Sequence, residues 1–67
     1  MKINAEMVRA YMPDRTYVET SGNVIKINDR KTGGAIFVCP NNNIIFEADD
    51  VREDIRVMLR VLCKASH

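Results

Sequence analysis

The chain is poor in the residues that usually carry chemistry. Its 67 residues include no tryptophan, one histidine, two cysteines and three glycines. The histidine is terminal His67, so a set made of Cys39, Cys63 and His67 lacks a fourth zinc ligand. Cys39 and Cys63 also lack metal-ligand spacing, and neither sits in the electropositive, partly open setting that makes a reactive thiolate. Both read as small buried hydrophobes. Gly33-Gly34 precedes a strand, and no GK[ST] or GxGxxG follows, which excludes a phosphate loop. The acidic run EADDVRED has no glycine-containing loop of the calcium type, and its place before a helix fits capping. No serine or cysteine is paired with a base. The expectation is a protein that is not an enzyme and takes no cofactor, metal or small-molecule substrate.

Two further scarcities narrow the partners. Ten basic residues face nine acidic ones, and a net charge of +1 exerts no global pull toward nucleic acid. Residues 1–33 carry six basic and four acidic groups, residues 34–67 four and five, so neither half is a polybasic tail. Long apolar runs are missing as well. AIFVC and IIF fall far short of the roughly 20 residues that cross a bilayer, and MKINAEM has no signal-type apolar stretch. The reading is a soluble, cytoplasmic chain with free thiols and no membrane partner.

What the chain does have is a clean succession of local signals. Residues 4–12, NAEMVRAYM, predict a helix. Asn4 is an N-cap, and Ile3 and Val8 stand where a hydrophobic staple needs them. Met7, Val8, Tyr11 and Met12 share one face, and Pro13 ends the helix. TYVET at 16–20, NVIKIN at 23–28, AIFVC at 35–39 and IIFEA at 44–48 predict four strands. The turns between them are Ser21-Gly22, DRKTGG and PNNN. Turns this short join neighbours in an antiparallel meander. Residues from about Val51 to Lys64 predict the last helix, with Asp50 and Glu53 as a capping box. The fold class is α+β, a single domain over residues 1–67. A four-stranded antiparallel β-meander is flanked by a short N-terminal and a longer C-terminal helix, α-β-β-β-β-α.

The last helix has a core stripe of Val51, Ile55, Met58, Leu59 and Leu62. Val57 and Val61 sit one turn apart, between core and solvent. Arg52, Arg56, Arg60 and Lys64 recur every fourth residue and form a basic ridge. With Lys26, Arg30 and Lys31 that ridge is a candidate nucleic-acid contact, although four charges neutralise few phosphates and a solvated helix face gives the same pattern. The four aromatics add no stacking platform on this reading, since the phenylalanines look buried. In the sheet, alternation places Val24, Ile36, Val38 and Ile45 on a second face that two short helices do not cover if both pack on the first. The resulting interface, Val24, Ile36, Val38, Ile45, Val57 and Val61, suits a homodimer or docking on a larger protein. Small chains of this kind are common among phage and mobile-element inhibitors, an analogy of size alone.

Overall fold

The computed structural model describes residues 3–39, 41 and 43–65. His67, and Pro40 and Asn42 of the PNNN turn, lie outside that range. The elements are α1 (Ala5–Tyr11), β1 (Thr16–Ser21), β2 (Val24–Asp29), β3 (Ala35–Val38), β4 (Ile44–Glu47) and α2 (Glu53–Ala65). The strands pair antiparallel in the order β1-β2-β3-β4, so the α+β meander is present with both flanking helices.

Local chemistry explains most boundaries. The Asn4 side chain accepts from the Met7 N–H at 2.9 Å, which satisfies a donor that the first helical turn leaves unpaired. After Pro13 the chain is tied back at once, because the Thr16 hydroxyl and N–H both donate to the Met12 carbonyl, at 2.7 and 2.9 Å. Ser21 faces Val24 across a two-residue loop in which Gly22 takes φ +57°. The β2–β3 turn is shaped by Asp29, whose Oδ1 accepts from the Lys31 and Thr32 N–H groups at 2.8 and 3.3 Å. Gly33 there has φ +80°.

The core is one cluster on one side of the sheet. Val18, Ile25, Ile27, Ile36 and Val38 meet Ile55, Met58, Leu59, Leu62 and Cys63 of α2, with Ile3 and Val8 from the α1 end. Each fully buried aliphatic side chain here contributes roughly 1.5–3 kcal/mol. Because α1 packs on β1 and α2, both helices lie on the same face, and among the described residues no layer covers the other face of the sheet.

Three sequence expectations are corrected. Ile36 and Val38 belong to the core face, with no exposed surface at all, and Phe37 takes the open face. The register decides this, pairing Ile36 with Ile27 and Val38 with Ile25. In β4, Ile44 lies opposite Val38 and Phe46 opposite Phe37, with a bulge between. A bulge adds one residue to one strand and so reverses the alternation beyond it. Finally, α2 starts at Glu53. The Ile55 and Arg56 N–H groups donate to the Arg52 carbonyl, so Arg52 stands at the cap position foreseen for Asp50. In α1, Tyr11 is exposed and only Val8 is fully buried.

Candidate interaction surface

The open face of the sheet is organised in rows. One row crosses all four strands, Glu19–Lys26–Phe37–Phe46. Phe37 and Phe46 meet edge to face, with ring centroids 5.7 Å apart. The Lys26 ammonium lies 5.9 Å from the Phe37 centroid and 3.8 Å from the Glu19 carboxylate. The next row holds Tyr17, Asn28 and Ala35. Asn28 donates to the Tyr17 carbonyl and to Glu19, while the Arg30 guanidinium lies 5.8 Å from the Tyr17 ring centroid. Phe46 is 55% exposed and Tyr17 50%, and Val24 and Phe37 are half-buried on the same side. Two phenylalanines expected in the core are thus surface residues. The apolar character of β3 on both sides hid this, because a strand with no polar face does not announce its direction.

Both edges of the sheet are blunted. At β1 the Arg30 N–H donates to the Arg15 carbonyl, so strand alternation turns the Thr16 and Val18 carbonyls outward. Arg30 Nε takes the first at 3.0 Å and Arg9 Nη2 the second at 3.2 Å. At β4 the strand has four residues and a bulge. Short, bulged or capped edges resist strand addition.

Three of the four basic residues of the ridge, Arg52, Arg56 and Arg60, are committed to the protein itself. Arg56 donates to the Ala48, Asp49 and Val51 carbonyls at 2.7, 3.0 and 3.0 Å and reaches Glu47 at 3.4 Å. Arg60 donates to both Glu47 oxygens at 3.1 Å. These arginines clip the helix to β4 and to the loop after it. Lys64 is exposed. Lys26 lies on the open face, with the sheet between it and α2, and Arg30 turns toward Tyr17, so neither extends the ridge. Lys31 is exposed in the β2–β3 turn. The seven proposed nucleic-acid residues therefore do not form one patch.

Arg52 has the strongest commitment. Its N–H, Nε and Nη2 all reach the carboxylate of Asp29, whose side chain is fully buried. Burial by itself pushes the Asp29 carboxyl up. Against it act the Arg52 guanidinium and the backbone N–H groups of Arg52, Lys31 and Thr32, and they prevail, holding the group well below the usual carboxylate range. Asp29 thus joins the β2–β3 turn to the start of α2. Sequence reasoning passed over it as a turn residue, although Ile25, Ile27, Asp29 is one parity series and already points it inward.

The other half of the expected interface is on the wrong side. Val57 and Val61 are 51% and 59% exposed. The Ile55–Met58–Leu59–Leu62 stripe holds α2 on the inner face of the sheet, so these valines turn away from it. They cannot share one flat contact with Val24 on the open face; Ile45 is exposed at the β4 bulge. Cys63 is buried, which raises its thiol pKa, and Cys39 is half-buried. Among the described residues no three His, Cys, Asp or Glu side chains gather as metal ligands, and no helix is long and apolar enough to cross a membrane.

Comparison with protein-family models, with curated proteins and with solved structures finds no match.

Proposed function

We propose that the chain is a non-enzymatic protein-binding module, and that its open sheet face binds a second copy of itself. The observation that carries this is the uncovered cluster of Tyr17, Val24, Phe37 and Phe46 on a sheet whose two helices both occupy the other side. Apolar aromatic surface of this kind marks contact sites on small proteins.

A second copy fits better than a highly charged partner. On the face Glu19 pairs with Lys26, and Arg30 beside Tyr17 adds a single uncompensated positive charge, so the face is only weakly charged. A net charge of +1 leaves little repulsion between copies. A two-fold axis parallel to the strands would stack β1 of one copy on β4 of the other and β2 on β3. Lys26 of each copy would then meet Phe37 of the other, and Glu19 would not face Glu19. Extents of 29 × 21 × 18 Å limit one flat face to about 600 Å², so a pair buries about 1,200 Å², the lower bound of specific interfaces. The dimer should be dissociable. By analogy of size alone, such a module would serve as an inhibitor or regulator of a larger protein, in a phage or mobile element, within the cytoplasm.

Sedimentation from micromolar to millimolar concentration tests the reading. The expectation is a monomer–dimer equilibrium that Phe46→Lys abolishes and Val57→Lys leaves intact, both variants keeping the wild-type circular dichroism. A monomer at millimolar concentration refutes it, and so does a dimer that only Val57→Lys breaks. The second reading, nucleic-acid binding, moves from the α2 ridge to this same face. Three aromatics with Lys26 and Arg30 beside them resemble a base-stacking platform. Titration with single-stranded oligonucleotides at low salt separates the two. Binding lost in Phe46→Lys but retained in Arg60→Gln would favour it.

A further inference from the structure

We propose that the groove along β1, between Arg9 and Arg30, is a binding site for a phosphate monoester carried on a planar group, of the kind a mononucleotide presents. The groove encloses about 330 Å³ and is lined by Arg9, Pro13, Thr16, Tyr17, Val18 and Arg30. It lies at the β1 margin of the molecule, away from the Phe37–Phe46 contact, but shares Tyr17 with the open face, so the planar group and a second copy would compete for that ring.

Charge accounting singles this place out. Of the six arginines, Arg15, Arg52, Arg56 and Arg60 each pair with a carboxylate, of Asp54, Asp29, Glu47 and Glu47. The two without an acidic partner among the described residues, Arg9 and Arg30, line the same groove. Each is held by backbone acceptors. Arg9 Nη2 donates to the Val18 carbonyl at 3.2 Å, and Arg30 Nε donates to the Pro13 and Thr16 carbonyls at 3.1 and 3.0 Å. Those contacts leave Arg9 Nη1 and both terminal nitrogens of Arg30 for a ligand. The guanidiniums are thus fixed in place, with their charge unneutralised.

Their spacing selects the anion. Thr16 and Val18 are successive outward carbonyls of one strand, so their anchor points stand about 7 Å apart. Two guanidiniums anchored this close can both turn free N–H groups to one tetrahedral phosphate, through charge-assisted bonds of about 2.8 Å. A carboxylate offers two oxygens in a plane and satisfies one guanidinium fork; a phosphate offers three oxygens and can engage both. The Tyr17 ring, already against Arg30, and Pro13 supply a flat apolar wall beside the anion. A planar group attached to the phosphate can lie on that wall.

The test is a chemical-shift titration of the whole chain at low salt with inorganic phosphate, adenosine 5′-monophosphate, O-phosphotyrosine and acetate. Wild-type protein should show shifts centred on Arg9, Tyr17 and Arg30. Phosphate should bind with a Kd on the order of millimolar, and the nucleotide about fivefold tighter or more, through stacking on Tyr17. Acetate should produce no saturating shift. Arg30→Gln should weaken the nucleotide about tenfold or more, since one of two charged forks is lost, and Tyr17→Leu should remove the preference for nucleotide over phosphate. The proposal is overturned if wild-type protein shows no saturable shifts at 10 mM or higher phosphate or nucleotide. It is equally overturned if the shifts centre on α2. Preference for phosphotyrosine over the nucleotide would overturn the assignment to a nucleotide.

Discussion

Replacing Asp29 by asparagine probes the contact that joins the two halves of the fold. In the native chain one carboxylate oxygen accepts from the Lys31 and Thr32 N–H groups, and both receive Arg52. Asparagine has the same shape but only one acceptor oxygen. It can keep the turn or the helix start, and its amide must point a donor at donors. Breaking a buried charge pair by removing one partner costs about 3–5 kcal/mol. Arg52 keeps 27% of its side-chain surface in water and so escapes part of that penalty, which brings the expected loss to about 3 kcal/mol. A 67-residue domain holds roughly 3–10 kcal/mol in total, so the loss is a large share, equivalent to a Tm drop of about 12–24 °C. Thermal and urea unfolding followed by circular dichroism read it directly.

The pH dependence gives the sign. The folded pKa of Asp29 is depressed, so its stabilisation is complete above the ordinary carboxylate pKa near 4 and is lost as pH falls below that value toward the folded one. The gap between wild type and Asp29→Asn should therefore be constant from pH 7 to about 5 and shrink as pH falls from about 4 to 2. A gap below about 1 kcal/mol at pH 7, or one that widens in acid, would show that Asp29 does not hold the turn and helix together.

Other substitutions test separate parts of the argument. Gly33→Ala should cost about 1–2 kcal/mol, because Gly33 sits at φ +80° with open space around it and the strain is purely backbone; Gly33→Asn should cost less, and denaturant midpoints rank the three. Leu59→Ala removes a fully buried side chain from the α2 stripe and should cost about 3–5 kcal/mol in urea unfolding. Arg56→Ala should destabilise by about 1–2 kcal/mol, since it frees three carbonyls after β4 and one end of Glu47. If Arg56 were only a solvated ridge residue, the change would stay within about 0.5 kcal/mol.

The sequence by itself determined the six elements, their order and their antiparallel neighbours. Those follow from signals a few residues long: Asn4 as a cap, Pro13 as a stop, glycine turns, β-branched runs and the 3.6-residue stripe of α2. Tertiary structure decided which side of each strand is inside. β3 is apolar in both directions, so its pattern is equally compatible with either face, and only pairing to β2 chose Ile36 and Val38 for the core. A single bulged residue then reversed β4 and brought Phe46 out beside Phe37. The ridge of α2 shows the same limit. Its spacing was legible, but whether an arginine meets water, a phosphate or its own protein depends on what lies across from it. For Arg52 that is Asp29, 23 residues away along the chain. Periodicity reports which residues share a face; only the packed chain sets what that face touches.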